Sequence, residues 1–146
     1  MKYGANRSVG GYTASGAERL EYLATFLDSV SPDRLTFSRW YGTGKGCAVG
    51  LAATQEARIQ AQGLSLAHED SLKECRPVYA GKSDWEAVTT FFGISHEEAT
   101  SLFTPAGYGG DLRPHPQRVA ERIRSFVTGA LGVVKAEAVL AEALPV

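Results

Sequence analysis

The residues of this chain best suited to chemistry gather around one glycine-rich turn. The run Arg39-Trp40-Tyr41-Gly42-Thr43-Gly44-Lys45-Gly46-Cys47-Ala48-Val49-Gly50 sets a thiol directly behind the turn, at the head of an apolar and almost side-chain-free segment. A thiol at a helix N-terminus has a lowered pKa, and Lys45 two residues earlier adds to that effect. The resulting thiolate serves as a nucleophile when a histidine takes its proton and an acid or amide orients the ring. Of the chain's three histidines, His68 is the best partner, because Glu69 and Asp70 follow it. His96 opens a helix, and His115 lies between two prolines. None stands at a signature spacing from Cys47. The competing reading is a small buried cysteine among alanines, the usual position of that residue.

The same turn invites a phosphate. A phosphate-binding loop needs Gly-x-x-x-x-Gly-Lys-Ser/Thr, so that backbone amides wrap the phosphates and a hydroxyl reaches magnesium. Here Arg39 holds the first glycine position and Gly46 the hydroxyl position, which argues against nucleotide hydrolysis. Looser anion binding at the helix start beside Lys45 stays open. His68, Glu69, Asp70, Glu74 and Cys75 match no standard metal-ligand spacing. The run His96-Glu97-Glu98-Ala99-Thr100 lacks the second histidine of a zinc-protease helix. No metal or cofactor is expected.

Two further groups could contact a partner. Arg113, His115, Arg118, Arg122 and Arg124 form a local basic cluster, with Arg118 and Arg122 one helical turn apart and opposite the apolar Val119, Ile123 and Phe126. Glu121 sits among them, so the cluster is either a solvated face or a contact for phosphates or an acidic protein. Tyr108, in Gly107-Tyr108-Gly109-Gly110, is either a lid over the core or an exposed anchor for a partner. Trp40, Tyr41, Trp85, Phe91, Phe92 and Phe103 read as core.

Positioning these groups falls mainly to helices. Residues 1–14, with three glycines, read as a flexible arm. Ser15 and Glu18 form a capping box for a first helix carrying Leu20, Leu23, Leu27 and Val30 on one stripe, ended by Pro32. Thr36–Tyr41 is a short strand or an extended lead-in, and Cys47 to about Gln60 is helix. Leu64, Leu66, Val78 and Tyr79 form one small hairpin, with Pro77 placing its second strand at an edge. Ser83 and Glu86 form a second capping box for a helix closed by Gly93, and Ser95 and Glu98 a third for a helix closed before Pro105. Pro116 starts the next helix, whose apolar stripe runs up to Gly129. Residues 130–146 read as an alanine-rich helix or tail. The expected architecture is α+β and mainly helical: four to six short helices on one core over 15–129, with at most one small antiparallel hairpin.

Composition narrows the classes. With 146 residues, 44% hydrophobic and 21% charged, the chain suits one folded domain with its own core. A net charge of -1 gives no global pull toward nucleic acid or anionic membrane. Two cysteines, Cys47 and Cys75, make neither a disulfide framework nor a zinc pattern and suit a reducing cytoplasm, with a single bridge left open. No apolar run approaches the ~20 residues of a membrane span, and the N-terminus lacks the apolar core of a signal peptide.

Three segments together carry a resemblance: Trp40–Thr54; Trp85 to Phe103, with Phe91-Phe92-Gly93-Ile94-Ser95-His96-Glu97-Glu98-Ala99 at its centre and Pro105-Ala106-Gly107-Tyr108 behind it; and Val119–Phe126. Together they resemble a family of small uncharacterised proteins of bacteria and their phages. Members often read Cys-Gly-Thr-x-x-Cys-Ala-x-Gly at the first segment and Phe-Phe-Gly-Leu-Ser-x-x-Glu-Ala at the second. Cys47 and Gly50 match the second cysteine and the glycine, while Gly42 stands where the first cysteine would be. The resemblance spans roughly residues 17–128. It implies a phage accessory role, such as a virion component or an inhibitor of host defence, in the cytoplasm of a bacterial host or on a virion.

The expected function is therefore a non-enzymatic protein-interaction module. Its partner would be another protein or a second copy of the chain, met through Lys45, Tyr108, Arg113, Arg118 and Arg122. The alternatives are a cysteine-dependent hydrolase or transferase using Cys47 with His68, and an anion or nucleic-acid binder using Lys45 and the arginines of 113–124.

Overall fold

The computed structural model describes residues 14–69 and 74–143. The expected arm therefore lies outside the described residues, except for Ala14. Helix α1 (Ala14–Leu27) buries Ala17, Leu20, Leu23, Ala24 and Leu27 on the stripe expected from their spacing. Ser15 falls inside this helix, so it is not the residue that caps it. Pro32 then begins a single 3-10 turn, Pro32–Arg34.

A two-residue hairpin follows, β1 (Tyr41–Gly42) and β2 (Lys45–Gly46), closed by Thr43 and Gly44 with φ of 54° and 81°. Both central residues have positive φ, as the tight hairpin turn that matches strand twist requires. Helix α2 (Ala48–Gln55) has Ala48 through Ala53 all buried. A helix apolar all round lies inside the core, which accounts for its run of alanine and glycine. Its start lies under the chain ahead of it. A Cβ on Gly46 would sit 2.3 Å from the Trp40 carbonyl oxygen, and one on Gly50 only 1.8 Å from it. The helix expected to reach Gln60 breaks at Glu56 and resumes as α3 (Ala57–Ala61).

The expected hairpin is present as β3 (Ser65–Glu69) and β4 (Glu74–Tyr79) in antiparallel register. It belongs to a larger sheet of five short strands in the order β2-β1-β4-β3, with β5 (Lys82–Ser83) also paired to β4. The strand carrying Pro77 is thus the most connected one, not an edge. Pro77 fits because β1 meets β4 at Cys75 and β5 meets it at Val78 and Tyr79. Proline lies in the gap between these two short neighbours, where no ladder bond is required of it on that side.

Helix α4 (Asp84–Phe92) buries Val88, Phe91 and Phe92 and ends on Gly93 in the left-handed region, φ 65°. The capping box expected at Ser83 does not form. Ser83 pairs with Val78 in the ladder, and Asp84, at φ 56°, makes the bend into the helix. At α5 (His96–Phe103) the capping box of Ser95 and Glu98 is complete. Thr104 caps the 3-10 turn Pro105–Tyr108, and α6 (Pro116–Ala143) starts on its proline. Helix α6 continues through Gly129, so the core stripe and the alanine-rich segment form one long helix. Val119, Ala120, Ile123 and Val127 are buried, and α6 packs most extensively on α1. The fold is mainly helical α+β, with one small antiparallel sheet.

Arg19 ties several elements together from α1. Its guanidinium donates to the Gln62 side chain at 2.6 Å and to the Phe91 carbonyl at 2.7 Å, and lies 4.4 Å from the Phe91 ring centre. A cation over an aromatic face, with its N–H groups on a helix-terminal carbonyl, holds α1 against α4 by both charge and packing.

Candidate functional site

Cys47 is the N-cap of α2 and is 4% exposed. Its backbone N–H is shared between the carbonyls of Arg39 and Trp40, each at 3.1 Å. Its Sγ accepts the N–H of Gly50 at 3.5 Å. The thiol thus takes the position where a serine or aspartate oxygen would satisfy the first turn of a helix. The positive end of α2 is covered by the Trp40 backbone and capped from within the chain, so an anion beside Lys45 would meet a helix start already occupied. Lys45 itself is exposed on β2. Cys47 and Cys75 form no disulfide.

His68 lies in β3, where its backbone stands opposite Cys75. Its side chain lies outside the described residues, as do those of Glu69 and Glu74, and Asp70 lies outside them altogether. His96 is exposed and packs edge-on against Trp85 at 5.9 Å. His115 accepts the N–H of Gln117 through Nδ1 at 3.1 Å. Among the described residues, no three His, Cys, Asp or Glu side chains converge as a metal site, and no helix is long and apolar enough to cross a membrane.

Tyr108 is not an exposed anchor. It is 2% exposed, and its hydroxyl donates to the Leu102 carbonyl at 2.8 Å. Burial pushes its phenol pKa well up, against a smaller opposing effect from Arg122 and Arg118. The reason lies in the 3-10 turn. Gly107 lets the chain run against α5, since a Cβ there would meet the Ser101 carbonyl oxygen at 1.7 Å. The ring is thereby turned under α6, with Phe37 at 5.5 Å on one side. Arg118 and Arg122 lie 5.4 Å and 5.5 Å from its centre. Arg122 also donates through Nε to the Ser101 carbonyl at 3.0 Å. The two arginines therefore roof the tyrosine and remain exposed on their outer side. Arg124 is engaged elsewhere, paired at 2.5 Å with Asp28, in the turn just past the end of α1.

The loop ahead of α6 holds a residue that the sequence reading passed over. Leu112 is 50% exposed, the one large apolar side chain so exposed among the described residues. Its carbonyl accepts the N–H of Phe37 at 2.8 Å, while Thr36 next to it donates to the Gly46 carbonyl at 2.9 Å. Residues 36 and 37 thus join the hairpin that bears Lys45 to the loop that bears Leu112 and Arg113. Arg113 is exposed, and its backbone N–H is fixed by the Asp111 carboxylate at 2.9 Å. No periodicity marks Leu112, because its exposure depends on contacts made far along the chain.

A concave region of about 330 Å³ lies where Arg39 and Trp40 face Arg76, Trp85 and Phe103, with Cys47 among its walls. Trp40 and Trp85, both read as core, are only partly buried here and pack at 4.9 Å with their rings tilted by 59°. The chain matches no family model, no curated protein and no solved structure.

Proposed function

We propose that this chain is a small protein-binding module that acts by occupying a partner rather than by catalysis. The observation that carries this reading is Leu112. An apolar side chain half out of the surface, on a backbone tied to Phe37 and beside Arg113, has the form of an interface anchor with a charged rim. Arg118 and Arg122 are exposed further along α6, on either side of Glu121, and Lys45 is exposed on the hairpin that residues 36 and 37 join to the Leu112 loop. A partner with an apolar pocket and an acidic border fits this pattern. The placement of Cys47 as a buried helix cap supports binding over cysteine chemistry. A role as a phage or mobile-element accessory protein rests on the resemblance of the three segments described above.

The test is affinity capture from a bacterial host lysate with the wild-type chain, Leu112→Ser and Arg118→Glu, all checked for native circular dichroism. A protein retained by the wild type and lost with both variants supports the proposal. Capture unaffected by either substitution refutes it. Nucleic-acid binding through the same arginines would instead survive Leu112→Ser and fall steeply with salt.

A further inference from the structure

We propose that the cleft between Arg39–Trp40 and the start of α4 is a binding site for a small aromatic carboxylate, apart from the Leu112 surface. Its volume of about 330 Å³ falls at the lower end of the roughly 300–1,000 Å³ typical of ligand sites. That is space for one ring with a short tether, not for a large cofactor. Trp40, Trp85, Phe37 and Phe103 supply aromatic walls. The two indoles meet at a tilt instead of stacking flat. A third ring entering beside them finds the edge-to-face and offset contacts that aromatic groups prefer.

The charge of the cleft sets the other half of the ligand. Its lining holds two guanidinium groups and no carboxylate. Arg76 is paired with Asp84 at 3.1 Å. Arg39 is different: its Nη1 donates to the Gly42 carbonyl at 3.4 Å and to the Thr43 hydroxyl at 3.2 Å, and among the described residues no carboxylate pairs with it. Those bonds place the guanidinium while engaging one of its three nitrogens. A guanidinium in that condition is a preformed partner for a carboxylate, which it can bind through two parallel N–H groups.

The chain's two tryptophans are the two that line the cleft, so intrinsic tryptophan emission reports on this site directly. The experiment titrates the full chain with 3-phenylpropanoate and, separately, with 3-phenylpropan-1-ol, which keeps ring and tether but lacks the charge. Calorimetry on the same samples reads binding independently of the fluorophores. The expected result is a saturable emission change with the acid, about tenfold weaker with the alcohol. Arg39→Gln brings the acid down to the level of the alcohol. Arg39→Lys, which keeps the charge and loses the planar fork, falls between. No saturable response to the acid, equal binding of acid and alcohol, or full acid binding by Arg39→Gln would each overturn the proposal.

Discussion

Two glycine-to-alanine substitutions, both in helices, should shift stability in opposite directions. At Gly129, in the exposed part of α6, an added Cβ would meet nothing within 4 Å. Alanine there removes backbone freedom from the unfolded chain and should stabilise by about 0.5–1 kcal/mol. At Gly50 the added Cβ would lie 1.8 Å from the Trp40 carbonyl oxygen, 2.8 Å from its carbon and 3.1 Å from the Tyr41 Cβ. The carbonyl would have to retreat by roughly 1.5 Å to restore ordinary contact. It is backbone, it lies against a helix buried through Ala53, and it accepts the Cys47 N–H at 3.1 Å. Overpacking of this kind costs about 1–3 kcal/mol, and a weakened hydrogen bond about 1 kcal/mol more. The helix-propensity gain of about 1 kcal/mol offsets only part of that. The net expectation is a loss of about 2 kcal/mol, which lowers Tm by about 4–8 °C for a domain of this size. Thermal unfolding followed by circular dichroism reads both variants. A Gly50→Ala protein as stable as the wild type would refute the close approach of residue 40 to α2.

Other consequences are as open to measurement. Ala80 sits at φ 52° in the β4–β5 turn, ahead of Gly81, so Ala80→Asn creates the favoured Asn-Gly pair and should raise stability by about 0.5–1 kcal/mol in urea unfolding. Cys47, buried where Cys75 is partly exposed, should react with iodoacetamide about tenfold or more slowly than Cys75 in the native state; mass spectrometry of the labelled peptides decides it, and comparable rates would contradict the buried cap. The Arg124 guanidinium, bonded to Asp28, holds that carboxyl below its ordinary range. The unfolded chain therefore takes up this proton at a higher pH than the folded one. The pair's stabilisation is present above the unfolded carboxylate pKa near 4 and is lost as pH falls through the lower folded value. Because both groups are well exposed, Asp28→Asn should cost only about 0.5 kcal/mol at pH 7, and the difference from wild type should vanish in acid. A difference that persists unchanged at low pH would refute the pairing.

What was legible in the sequence was local. Ser95 and Glu98 are three residues apart, and their reciprocal bonds need nothing else, so the box forms as read. Gly46 and Gly50 stand within three residues of Cys47 in an almost side-chain-free run, and the Trp40 carbonyl occupies the space that side chains there would take. Ser83 and Glu86 have the same spacing as the box at Ser95, but the ladder bond of Ser83 to β4 overrides the local preference. The two-residue strands β1, β2 and β5 have no periodicity to detect. β1 and β5 exist because β4 offers partners, with Tyr41 meeting Cys75 from far along the chain, and β2 pairs in turn with β1. Tyr108 among glycines left a lid over the core and an exposed anchor both open, and Gly107 allows the turn that buries it. The cleft was hidden for the same reason. Trp40 and Trp85 are joined by tertiary contact, and apolar composition alone does not distinguish a core wall from a binding wall.

The packing of α1 on α6 has a kinetic side. The Asp28–Arg124 pair joins residues 96 positions apart, and the Arg19 bonds to Gln62 and Phe91 span 43 and 72. During synthesis, α2, α3 and α4 can pack on α1 as they emerge, but the face of α1 that α6 covers stays exposed until α6 is made. Closing that long loop should make this domain fold more slowly than a helical bundle held by local contacts. The nascent chain, with its apolar stripe exposed, is the form most open to chaperone capture or proteolysis.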